Sequence, residues 1–155
     1  MPRYFTHYWK NETLDGYRDS GDVELEWLAA NVFVAWGVGA GDVVYPLTVR
    51  GGVLYLIGRV RVKRVVRGLE VAQKHLGYKP SFRASDYLIA EEITTKHFDL
   101  EVPPEVTREL RLIGSGGIRP PVFSSPDRLD QQTFRGVREL DPDSATRLDR
   151  LLPSA

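Results

Sequence analysis

GDVVYPLTVRGGVLYLIGRVRV, residues 41–62, is the stretch that decides how this chain folds. Two runs rich in β-branched and aromatic residues flank Gly51-Gly52, a dipeptide suited to the positive φ angles of a two-residue hairpin turn. With those glycines as the loop, Arg50 faces Val53 and each earlier residue has a fixed later partner. One face then gathers Val43, Tyr45, Leu47 and Val49 against Val60, Gly58, Leu56 and Leu54. The other carries Val44, Pro46, Thr48 and Arg50 against Arg59, Ile57, Tyr55 and Val53. A slip by one residue would mix the two sets, so the pattern selects this register. Tyr45 is expected to cover the gap opposite Gly58 with its ring.

Upstream, residues 3–10 (RYFTHYWK) predict a first strand with aromatic side chains on both faces, and hence a central place in a sheet. Residues 11–21 are polar with two glycines and read as a loop. Asp22 is suited to cap a helix through Ala30, with Val23, Trp27 and Ala30 on one stripe. The apolar run NVFVAWGVGAGD then leads into the hairpin. Downstream, Arg59, Arg61 and Lys63 alternate with Val60 and Val62. A solvated outer strand face explains this pattern, and a row of phosphate contacts is the rival explanation. A short helix over 69–76 stops at Gly77, and residues 87–95 predict a further strand. Pro103-Pro104 starts a helix through about Leu112 that GSGG closes. Asp141 caps a last helix with Pro142 at its first position, so residues 124–155 are expected to form a helical carboxyl-terminal portion. The mixture predicts an α+β protein, a mostly antiparallel β-barrel decorated with short helices, in one domain over 1–155.

The chain has 155 residues, 42% of them hydrophobic and 27% charged, as ordinary globular domains have. Lys+Arg and Asp+Glu are both 21, so strong nonspecific attraction to nucleic acid or to an acidic membrane is not expected. There is no cysteine, which excludes disulfides and thiolate chemistry. With no signal segment and no apolar run near about 18 residues, a cytoplasmic location is expected. Ten aromatic residues, including all three tryptophans, fall in the first 55 positions. They either make the core there or line a pocket for a flat ligand.

Motifs for catalysis are weak. GVGAGD lacks the third glycine of a dinucleotide fingerprint, and GSGGIRPP lacks the lysine and hydroxyl residue of a phosphate loop. His7, His75 and His97 form no convincing metal set, so neither metal nor cofactor is expected. His97 and Asp99 lie two apart, more in the manner of an exposed loop pair than of a catalytic one. No serine sits in a nucleophile elbow.

HYWKNET near the start, ANVFVAWGV, and the hairpin itself carry a resemblance to the PUA-like superfamily, closest to its EVE domains. Gly37-Val38, Gly41-Asp42 and the Ile57-Gly58 to Val62 pattern match the places where those domains carry such residues, over about the first 65 positions. YWKNET departs from the usual EVE opening. The resemblance implies a pseudobarrel that binds nucleic acid by taking an altered base, such as methylated cytosine, into an aromatic pocket. A base out of its stack needs a flat ring against its face and polar groups at its edge, and a methylated or cationic base gains further from indole faces. On this basis Trp9 and Trp36 are expected as cage walls with Tyr8 behind them, and Asn31 as a base-edge partner. Lys10 and Arg18, with Arg59, Arg61 and Lys63, are expected at phosphates. The partner is then DNA carrying a modified base, with a nuclease or modification enzyme on another chain, and the module itself does not catalyse. Two other classes stay open: an RNA- or nucleotide-processing enzyme of the ASCH type, and a protein-interaction domain.

Overall fold

Gly51 and Gly52 turn the chain at φ 60° and 79°, and the strands they join anchor the larger sheet. The computed structural model describes residues 1–153. From the amino end come β1 (Tyr4–Tyr8), α1 (Asn11–Ser20), β2 (Glu24–Ala30), β3 (Val43–Arg50), β4 (Val53–Leu56) and β5 (Val60–Arg67). Next are α2 (Leu69–Leu76), β6 (Asp86–Thr95), α3 (Pro104–Glu109), β7 (Leu112–Gly114) and β8 (Gly117–Arg119). Last are β9 (Phe123–Ser125), β10 (Arg128–Leu129), a 3-10 helix at Gln131–Phe134, β11 (Val137–Leu140) and α4 (Pro142–Asp149).

Nine strands share one sheet in the order β2-β6-β5-β3-β1-β11-β7-β8, with β4 paired to β3 off that path. β1 runs parallel to β3, and the other pairings in this sheet are antiparallel. The protein is therefore α+β, with a mostly antiparallel sheet and, among the described residues, four short α-helices. Among the described residues the strand path stays open, since β2 and β8 at its two ends do not pair; the closed barrel expected from sequence is not found. β1 does lie centrally, between β3 and β11, with Phe5, Thr6 and His7 buried. No described helix is long and apolar enough to cross a membrane.

Both faces of β3 are covered. Val43, Tyr45, Leu47 and Val49 join Leu54, Leu56 and the carboxyl-terminal elements in one core. Val44 joins Phe5, Leu25, Leu28, Ile57 and Val60 in the other. The hairpin register holds from Arg50↔Val53 to Leu47↔Leu56. The Ile57 N–H still donates to the Pro46 carbonyl at 2.9 Å, but Val44 then meets Val60 and Val43 meets Arg61. One extra residue on the later strand thus shifts the partners, and Val60 turns to the core opposite the one expected. Gly58 is correspondingly not covered by Tyr45. A Cβ there would lie 2.7 Å from Leu25 Cδ2 and 3.2 Å from the Thr95 carbonyl oxygen, so this glycine permits close approach of β2 and β6.

Residues 22–30 are not the expected helix. β2 pairs antiparallel with β6, and its register shifts between Leu25 and Trp27. That irregularity lets Leu25 and Leu28, three residues apart, both be buried, whereas of the expected stripe Val23 is exposed and Trp27 and Ala30 are half-buried. Conversely, residues 11–20 form a helix where a loop was expected. α1 commits little apolar surface, with Leu14 fully buried and Tyr17 partly so. It ends where Gly21 adopts φ 74°, with Gly21 N–H donating to the Arg18 carbonyl and Asp22 N–H to that of Tyr17. α2 and its Gly77 stop match the sequence, as does the Asp141 cap, whose Oδ1 accepts the Ser144 N–H at 2.9 Å. α3, however, ends at Glu109, and GSGG is the turn between β7 and β8. Of the portion 124–155 expected as helical, the described residues also hold β10, the 3-10 helix, β11 and most of β9.

Candidate functional site

Where β1 gives way to α1, the chain presents His7, Tyr8, Trp9 and Lys10 in succession. These residues form one side of a cleft of about 220 Å³, completed by Thr13 and Tyr17 of α1, Trp27, Leu28 and Ala29 of β2, and Phe82. The volume is below the roughly 300 Å³ at which drug-sized sites begin, so it suits one ring system. Strand alternation ends at Trp9, whose N–H donates to the Leu47 carbonyl at 2.8 Å and pins the indole beside β3. Trp9 is only 8% exposed, and its ring lies 5.5 Å from that of Tyr17 at 40°. Its indole Nε1–H donates to His7 Nδ1 at 3.3 Å. His7 is buried, which pulls its imidazole down to about 4 and keeps it neutral near pH 7. With Nδ1 accepting, the proton of the neutral ring is assigned to Nε2.

Tyr17 is held on two sides. Its hydroxyl lies 3.3 Å from Ser81 Oγ, and Lys96 Nζ stands 4.0 Å from its ring centroid. Lys96 is itself buried and donates to Asp22 Oδ1 and the Glu24 carbonyl at 3.0 and 2.6 Å. Burial draws the Lys96 ammonium below its ordinary value, and Asp22 opposes that shift. Trp27, half-buried, packs 6.2 Å from Tyr87.

A second, wider groove adjoins the cleft and shares Tyr8 and Lys10 with it. Its other lining is polar: Asn11, Glu12, Gln131, Gln132, Arg135 and Gly136. Lys10 and Arg135 are exposed there.

Of the residues expected from sequence, the fold brings Tyr8, Trp9 and Lys10 to the cleft. Trp36 and Asn31 lie elsewhere. Trp36 is half-buried with its ring edge-on to Phe5 at 6.3 Å, and Asn31 Oδ1 accepts the Ser85 N–H at 2.9 Å. Arg18 is engaged with the Asp99 carboxylate at 2.6 Å and the Phe98 carbonyl at 3.0 Å. Arg59 sits 3.1 Å from Asp149 in a groove that also holds His97. That pairing helps hold the Tyr45 hydroxyl, which donates to Asp149 Oδ1 at 2.6 Å and is raised by burial first and by that carboxylate second. Arg61 and Lys63 are exposed on β5 and line neither the cleft nor its neighbouring groove.

His7, Thr13, Tyr17, Trp27 and Phe82 carry no sequence signal that singles them out for a site. Trp27 reaches the cleft from β2, which pairs with β6 and not with β1, so no local signal marks it, and none marks Phe82. No family model matches this chain, and no curated protein or solved structure matches it either.

Proposed function

We propose that this chain is a nucleic-acid-binding module of the PUA-like, EVE-domain type that receives one modified or flipped base, such as methylated cytosine in DNA. The observation that carries the reading is the junction of two concavities at Tyr8 and Lys10, one walled by rings and one polar. A base entering the cleft meets the rings of Trp9, Tyr17 and Trp27, and its stacking there contributes roughly 1–3 kcal/mol. The sugar-phosphate chain then leaves along the polar groove, where Lys10 and Arg135 meet phosphate and Gln131 and Gln132 meet sugar or water. Zero net charge suits a module whose affinity depends on one pocketed base more than on duplex phosphates. Cleavage or modification of the marked strand falls to an enzyme on another chain.

The test is fluorescence anisotropy with short labelled strands that differ at one central position: 5-methylcytosine, cytosine, or an abasic site. The methylated strand is expected to bind on the order of tenfold more tightly than the abasic one, with cytosine between. Equal weak affinities across all three would overturn the reading.

A further inference from the structure

We propose that the cleft selects an uncharged ring and rejects cationic N-methylated isomers of the same base. The inference rests on the base-binding reading above and specifies the ligand class of that site. None of the ten lining residues is a carboxylate, and the one charged member is the Lys10 ammonium at the rim. The remaining polar lining is neutral: the hydroxyls of Tyr8, Thr13 and Tyr17, the Trp9 and Trp27 indoles, and His7. A ring that carries a positive charge into this space leaves water without meeting a counter-charge.

Aromatic walls alone could offset that cost by presenting their faces to a cation. Here one wall is already engaged, because Lys96 Nζ lies 4.0 Å from the Tyr17 ring centroid. Lys96 is fixed by Asp22 Oδ1 and two backbone carbonyls and does not move aside without breaking those bonds. Asp22 offsets the Lys96 charge at a distance, so the effect is local to Tyr17. The indoles of Trp9 and Trp27 remain and favour a cation modestly, which returns only part of the cost of carrying an unpaired charge out of water. An anionic phosphate next to the ring is welcome at Lys10, and a charge on the ring itself is not.

Two isomers of one base separate charge from size. 5-Methylcytosine is neutral at pH near 7, and 3-methylcytosine, with the same heavy atoms, takes up one proton and is a cation. Single strands are used so that base pairing does not enter. The wild-type chain is expected to bind the 5-methyl strand on the order of tenfold more tightly than the 3-methyl strand. Thr13→Asp places a carboxylate on the cleft wall in the first turn of α1, where an acid also suits the helix. It is expected to reduce that ratio several-fold or invert it. Lys10→Gln, at an exposed position, is expected to weaken both strands while narrowing the ratio; a role at phosphate alone would leave the ratio unchanged. Should the 5-methyl strand exceed the abasic one while the 3-methyl strand binds equally or better, charge selection is wrong and base binding stands. Should neither exceed the abasic strand, both fall together.

Discussion

The Trp9 indole donates to His7 Nδ1 at 3.3 Å, and this bond couples the wall of the cleft to the one buried imidazole in it. The two residues point to the same side of β1's end because they are two apart on an extended chain. The Phe33 ring packs edge-on against His7 at 5.2 Å and closes the other side. A protonated His7 would have to give up the Trp9 bond and hold a charge among rings, which is why burial lowers its affinity for a proton.

That lowering links stability to pH. His7 falls from 6.5 to about 4 on folding, so between those values the unfolded chain binds the extra proton. Stability contributed by neutral His7 is complete above about pH 6.5 and is lost as pH falls toward 4, in total on the order of 3 kcal/mol. Urea unfolding at several pH values across that window should show the decline, and His7→Phe should flatten it. A wild-type curve without slope there would show that His7 titrates normally.

Two glycines give opposite responses to one methyl group. Gly58→Ala drives a Cβ to 2.7 Å from Leu25 Cδ2 and 3.2 Å from the Thr95 carbonyl, and the latter is backbone that yields little. A loss of about 1–3 kcal/mol is expected. Gly16 lies inside α1, and a methyl group added there would meet nothing within 4 Å. Gly16→Ala should therefore add about 0.5–1 kcal/mol through helix propensity. Urea midpoints of the two variants, moving in opposite directions, check both claims.

How much of this was legible follows from where patterns stay local. The hairpin is set by Gly51-Gly52 and by alternation near the turn, and both are local. The partner shift beyond Leu56 depends on β5 leaving β3 to pair with β6, which no window around Gly58 contains. β2 reads as a helix in sequence because Asp22 suits a cap and Val23, Trp27 and Ala30 recur at helical spacing, while its pairing with the distant β6 leaves no local mark. α1 reads as a loop because a ten-residue helix with Leu14 as its fully buried residue has too little apolar stripe to announce itself. The cleft is hidden by both effects together, since α1 and β2 supply Tyr17 and Trp27. Residues 8–10 are legible because they end the aromatic run at and just beyond β1, where a local pattern suffices to locate them.

Trp27 and Trp36 should separate binding from stability. Trp27 lines the cleft, and Trp27→Ala is expected to weaken the 5-methylcytosine strand by about 1–3 kcal/mol, the range for losing one stacked ring. Trp36 lines neither concavity and packs on Phe5. Trp36→Ala should lower stability by roughly 1–3 kcal/mol and leave the anisotropy titration unchanged. Loss of binding in a folded Trp36→Ala protein would move the ligand site to the 31–38 turn.

The 31–38 turn is held to β6 by Asp86, whose side chain has no solvent exposure. Its Oδ2 accepts the Val34 N–H at 3.0 Å, while Oδ1 lies 3.3 Å from Arg67 Nε without the alignment of a hydrogen bond. Arg67 is largely exposed, so solvent screens that pairing and the amide bond is the larger contribution. Asp86→Ala leaves the Val34 amide without its partner and should cost about 1–3 kcal/mol. Asp86→Asn keeps an oxygen for that amide and should cost clearly less, because what it removes is chiefly the screened charge. Hydrogen exchange at Val34 distinguishes the two, with fast exchange expected in Asp86→Ala and near-native protection in Asp86→Asn. Equal losses in both variants would mean that the carboxylate charge, and not the accepted N–H, ties this turn to the sheet.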